Sequence, residues 1–174
     1  MEPQLEKPEN SDPFSFLEGE YGSFEVEHYQ KFDFGKVDGV VMSVGSAGAR
    51  WVKNHVSHAW IVDNSSTYRR DPDWDLVVPE IYQGHVRRYV ASPNCVAIPV
   101  TLVLFQLQSF GVIEEVWGST YQSASGAGRE YLAKLNRQEG IYDTVMPKIG
   151  EMTDGISDEE EKVTYEIKKI LGLE

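Results

Sequence analysis

A single cysteine, Cys95, stands in the run SPNCVA, where a short apolar segment gives way to a long one. With a strand before it and a helix after it, the thiol sits at a strand-to-helix junction. Free backbone N–H groups and the positive end of the helix favour the thiolate there, the nucleophilic form of the group. The plainer reading is a small hydrophobe buried beside an apolar run. The segment DNSSTYRR places Asn64, two serines, Arg69 and Arg70 just past another apolar run. In open α/β sheets ligands bind at the C-terminal ends of the strands. An arginine at that edge can grip a phosphate or carboxylate through its planar fork, or it can lie solvated in a polar loop. Two glycine clusters, GSAG (Gly45 to Gly48) and SGAG (Ser125 to Gly128), give backbone N–H groups room to approach a phosphate, or simply turn the chain. The four histidines, His28, His55, His58 and His85, have no metal-type spacing with Cys95, and no metal site is expected.

The elements that must position these residues follow from hydrophobic patterning. Alternation around Phe24 and Val26 predicts a short half-buried strand. VDGVVMSVG (Val37 to Gly45) is a valine-rich continuous run that suits a strand buried on both faces. SAGARWVKNHVSH has a helical rhythm at Trp51, Val52 and Val56, and AWIVDNSS (Ala59 to Ser66) is a second apolar run ending in turn-formers. Strand, helix, strand at this spacing is a βαβ unit and implies a parallel sheet. DLVVPEI and RRYVASPNC extend the strand series, and VIEEVWGSTYQ reads as one more strand. The apolar run after Cys95 is long enough for a buried helix. Pro99 requires that helix to begin close to Cys95, because proline is tolerated only in the first turn. Ser157 and Glu160 make a capping-box pattern for a last helix, with acids in its first turn and Lys168 and Lys169 in its last.

The fold class expected is therefore α/β. The first 14 residues, MEPQLEKPENSDPF, have a composition that cannot offset the entropy of ordering. A flexible N-terminal tail is expected over residues 1–21. The 174 residues carry a net charge of −12, which argues against non-specific binding to nucleic acid or to an anionic membrane. No apolar stretch is long enough to span a bilayer, no signal peptide is apparent, and one cysteine fits a reducing compartment. A cytoplasmic protein is expected.

In order and spacing these pieces resemble the aspartate-β-semialdehyde dehydrogenases. Where that family has VIDNSSxFR, the chain has IVDNSSTYR. VPLVVPEVN corresponds to DWDLVVPEIY, NPNC to SPNC with Cys95, and STYQxxSGAG to STYQSASGAG. The family's closing segment, with KEEWKxxxETKKIL, corresponds to SDEEEKVTYEIKKIL. The resemblance runs from about residue 22 to residue 172. It implies a partial Rossmann-like parallel sheet in residues 22–94, followed in 95–174 by part of the α/β catalytic and dimerisation domain.

The resemblance also implies chemistry. Cys95 would form a thioester during NADP-dependent interconversion of aspartyl phosphate and aspartate semialdehyde, a step in lysine, threonine and methionine biosynthesis. Gln122 would orient the substrate beside it, and Asn94 would help place the thiol. Arg69 and Lys162 would share the phosphate, and Glu159 would bind the substrate's amino group. Ser43, Gly45, Asn64, Ser125, Gly126 and Gly128 would lie along NADP. Small-molecule substrate and phosphate are the partners implied, with a homodimer or association with a longer family subunit. The family's GxTGxVG loop and its histidine-bearing Arg-x-Pro-Val…Gly-His stretch have no counterpart in these residues, and SPNCVA replaces NPNCST. A non-catalytic, truncated family member acting as a binding or interaction subunit is the alternative expectation.

Overall fold

The computed structural model describes residues 15–19, 22–127, 129–145 and 151–173. Strands β1 (Ser15–Gly19) and β2 (Gly22–Val26) form an antiparallel hairpin in which Ser15 pairs with Val26 and Leu17 with Phe24. The strand expected around Phe24 thus has its partner inside the segment assigned to a tail, and the tail boundary at residue 21 is corrected over residues 15–19. The expected tail over residues 1–14 lies outside the described residues.

The main sheet holds β3 (Gly39–Met42), β4 (Trp60–Asp63), β5 (Asp75–Leu76) and β6 (Tyr89–Ala91) in the order β3-β4-β6-β5, all parallel. Helix α1 (Ser46–His55) links β3 to β4, so the βαβ unit forms as its pattern requires. Register places Met42 beside Asp63 and Asp63 beside Ala91. Residues 43, 64 and 92, one step further, therefore leave the sheet at one common C-terminal edge.

One face of this sheet is well covered. Met42, Ile61, Leu76 and Ala91 pack with Ala49, Val52 and Val56 of the α1 region and with Ala59 and Trp74. The other face is open, against the expectation of strands buried on both sides. Val41 is 75% exposed and Trp60 51% exposed. Trp60, Val62, Val77, Val90 and Ile98 line an open groove of about 700 Å³ there. Gly39 is required by close approach, since a Cβ on it would lie 2.7 Å from the Trp60 ring.

Helix α2 (Ala97–Leu107) begins two residues after Cys95 with Pro99 in its first turn, where no backbone donor is needed. Residues 112–122, expected as a strand, run without a partner strand among the described residues. Val112, Trp117 and Tyr121 are 92%, 85% and 85% exposed. A strand is a property of its neighbours as much as of its own pattern, and this segment finds none. Helix α3 (Arg129–Asn136) is not among the expected elements; an i,i+4 ion pair between Glu130 and Lys134 supports it. Two short strands, β7 (Met152–Thr153) and β8 (Ile156–Ser157), lead into α4 (Asp158–Leu171). The capping box forms as read: Ser157 accepts from the Glu160 backbone N–H, and the Glu160 side chain accepts from that of Ser157. Helix α4 packs against α2 and β5. No helix among the described residues is long and apolar enough to cross a membrane.

Asp75 ties β5 to the segment preceding β6. Burial alone would push its carboxyl up. The Arg87 backbone N–H and Nε, donating at 2.6 and 2.7 Å, together with the guanidinium charge, hold it below its ordinary value of 3.8. A depressed folded value means that the contribution is full above the unfolded value and is lost as pH falls through the folded one. Asp75→Asn should therefore lower the urea midpoint at neutral pH, and the gap to the unaltered protein should close below about pH 4. A gap that stayed constant down to about pH 2 would refute the assignment.

Candidate functional site

The site grows from two turns at the C-terminal edge of the sheet. The first follows β4. Buried Asp63 accepts from the Ser65 backbone N–H at 3.0 Å and from its hydroxyl at 2.7 Å, and Ser65 Oγ in turn meets Thr67 Oγ1 at 2.9 Å. This net folds DNSST back on itself and delivers Arg69 inward rather than to solvent. Arg69 Nη1 donates to Glu166 Oε1 at 3.1 Å and Nη2 to the Asn64 carbonyl at 3.3 Å. Its Nε is buried with no hydrogen-bond partner among the described residues. Lys169 of α4 fastens the same loop, donating to the carbonyl oxygens of Arg69 at 2.8 Å and Asp71 at 3.4 Å. Burial, and then the like charge of Arg87, lower its ammonium pKa.

The second turn follows β6 and carries Cys95. Asn94 organises it. Its Oδ1 accepts the Val96 backbone N–H at 2.8 Å, and its carbonyl accepts that of Ile98 at 3.1 Å. Its amide donates to Glu159 Oε1 at 2.7 Å, and its backbone N–H to Glu166 Oε2 at 2.5 Å. Asn94 is buried while Cys95, the next residue, is exposed as a free thiol at the start of α2. Gln122 reaches the same Glu159 oxygen with its amide, at 3.5 Å. Gly126 lies beside Gln122: a Cβ on it would stand 3.8 Å from Gln122 Oε1. Asn94, Gln122 and Glu159 thus meet around one carboxylate oxygen, and Asn94 immediately precedes Cys95 in the chain.

Other expected residues are placed differently. Lys162 pairs with Asp158 one turn earlier at 2.9 Å, while Arg69 turns to Glu166. Ser43 and Gly45 lie in the exposed turn from β3 into α1. Gly45 is the N-cap of α1, makes no side-chain cap, and has open space where a Cβ would stand. Exposed backbone donors under a residue without a side chain fit the approach of a nucleotide phosphate. Asn64 shares that sheet edge, donating from its backbone to the Met42 carbonyl at 2.9 Å. Ser125 meets Ser123 at 2.6 Å, and Gly128 lies outside the described residues.

Glu166 has no counterpart in the sequence reading. Its signal was nonetheless present: with Val163 and Ile170 it occupies i, i+3 and i+7 positions, so an acid interrupts the apolar stripe of α4. It is 1% exposed. Glu159 lies seven residues before it, two turns away on the same face.

A parallel sheet with turns of this kind at its C-terminal edge defines an open-sheet α/β protein, the class in which ligands bind at that edge, and the comparisons with known proteins narrow the class. The family model for the semialdehyde dehydrogenase NAD-binding domain matches residues 7–89. An aspartate-semialdehyde dehydrogenase of Rickettsia bellii is 30% identical over 172 residues, covering 85% of this chain and 51% of that protein. One from Prochlorococcus marinus is 40% identical over 121 residues, 66% of this chain and 35% of that protein. The crystal structure of aspartate semialdehyde dehydrogenase II from Vibrio cholerae superposes with a TM-score of 0.76 at 27% identity, covering 91% of this chain and 55% of that one. The chain belongs to the aspartate-semialdehyde dehydrogenase family as a partial chain. It spans about half the length of the first of these relatives.

Proposed function

We propose that this chain carries the nucleophile-bearing part of an NADP-dependent aspartate-semialdehyde dehydrogenase. The observation that supports the reading best is the convergence of Asn94, the residue immediately before the exposed Cys95, and Gln122 on Glu159. Cys95 thiolate adds to the aldehyde carbon of the substrate. Loss of hydride from that carbon leaves a thioester on Cys95, and a phosphate oxygen then attacks the thioester carbonyl, forming aspartyl phosphate and releasing the thiolate. Bound NADP supplies the hydride acceptor. Glu159, already accepting two amide donors, offers a negative charge for the substrate ammonium, and Gln122 orients the chain of the substrate. Asn94 fixes the backbone from which the thiol projects. Arg69 and Lys162 provide the cations for phosphate, which requires each to loosen its present carboxylate partner. Ser43, Gly45, Asn64, Ser125, Gly126 and Gly128 form the cofactor side, and the biosynthetic direction is the reverse reaction.

The test is reduction of NADP by aspartate semialdehyde with the purified chain, with and without phosphate, and again with NAD. Phosphate-dependent reduction favouring NADP is expected. A folded chain that gives no phosphate-dependent reduction would remove the proposal.

A further inference from the structure

We infer that Glu166 is a positioning residue for the Cys95 nucleophile, an assignment that rests on the reading of Cys95 given above. Taking a carboxylate out of water costs several kcal/mol unless its partners offset the loss. Glu166 is almost wholly buried, and its two oxygens serve different ends. Oε1 accepts from Arg69, which offsets the charge and by itself fastens α4 to the loop after β4. Oε2 accepts from the backbone N–H of Asn94, the residue immediately before the thiol. Anchoring α4 does not need that second bond.

The second bond completes a set. Each polar group of Asn94 is held: the N–H by Glu166, the carbonyl by Ile98, Oδ1 by Val96 and Nδ2 by Glu159. Two of those four partners are carboxylates of α4, two turns apart. Cys95 therefore projects from a backbone with little freedom although its side chain is exposed. A thiol free to react but fixed in direction is what attack on a bound carbonyl carbon requires.

The chain has one cysteine, so alkylation by iodoacetamide reports on Cys95 alone. Rates are compared for native and urea-unfolded protein, alongside thermal melts. The unaltered native protein should react faster than the unfolded chain. Glu166→Ala leaves the Asn94 N–H without its acceptor and should slow the native rate about tenfold, the equivalent of one hydrogen bond to a charged group. Glu166→Gln keeps an acceptor oxygen and should recover most of the rate, although it loses the charge opposite Arg69. The double variant Arg69→Met/Glu166→Ala removes the lone buried guanidinium. It should regain thermal stability relative to Glu166→Ala without regaining the rate. Rates that simply follow melting temperature across the series, or a double variant within about twofold of the unaltered protein, would overturn the inference and leave the nucleophile reading standing. A native rate no faster than the unfolded one would overturn both.

Discussion

Cys95→Ala should reduce phosphate-dependent reduction of NADP by at least about a thousandfold while leaving stability within about 0.5 kcal/mol. The two halves of that expectation have separate causes. Without sulfur no covalent adduct forms, so neither the thioester nor the acyl phosphate derived from it can arise. Residues acting as one unit with a nucleophile cannot compensate for its loss. The side chain itself is exposed and its turn is held by Asn94, so removing the sulfur disturbs no packing or bonding. Cys95→Ser should behave almost as badly, because a hydroxyl at neutral pH is a far weaker nucleophile than a thiolate. Initial rates measured beside urea denaturation of the same preparations check both halves. Turnover surviving in Cys95→Ala would sink the thioester route, and a large loss of stability would show that the turn is less self-sufficient than its hydrogen bonds indicate.

How far these features were legible beforehand depended on whether local chemistry decided them. Helix α4 was legible because its ends are specified within a few residues: Ser157 and Glu160 cap the start, and Lys168 and Lys169 complement the dipole in the last turn. The start of α2 was legible for a similar reason, since Pro99 admits only a first-turn position. The strand expected over VIEEVWGSTYQ failed because its alternation satisfies only half of what a strand needs, and no neighbouring strand among the described residues supplies the other half. The continuous valine run from Val37 to Gly45 likewise suggested burial on both faces, yet Val41 is exposed and the neighbouring Trp60 lines an open groove.

The site divides in the same way. The position of Cys95 ahead of a helix came from patterning, whereas the grouping of Asn94, Gln122 and Glu159 was expected only through family resemblance. Gln122 and Glu159 are 37 residues apart, and no local periodicity relates them. Arg69 was read either as an anion-binding group at the C-terminal edge of the sheet or as a solvated arginine in a polar loop, and the family resemblance implied phosphate. Its turn toward Glu166 depends on a residue 97 positions away. Glu166 could have been suspected from its place in an apolar stripe, but its partners could not.

The loop that carries Arg69 depends on packing beneath it, and this sets the last expectation. Trp74 is 2% exposed and stacks on Tyr68 with centroids 4.2 Å apart and planes within 2°. On its other side Tyr89 of β6 lies at 5.1 Å and 24°. Trp74→Ala should cost about 3–5 kcal/mol through lost burial and the cavity left behind. The stacks should add about 0.5–1.5 kcal/mol each where they cannot re-form. Against a total stability of about 5–15 kcal/mol, that is enough to bring the domain close to unfolding at moderate temperature. Trp74→Phe keeps an aromatic face between the two tyrosines and should cost less than half as much. Urea midpoints followed by far-UV circular dichroism check the ordering, and a cost below about 1 kcal/mol for Trp74→Ala would contradict it. Because Tyr68 immediately precedes Arg69, losing the stack should also free the guanidinium from Glu166. Cys95 alkylation in Trp74→Ala should then fall only modestly, since the Glu166–Asn94 bond does not pass through the loop. A fall as large as that in Glu166→Ala would instead mean that the two turns move as one body.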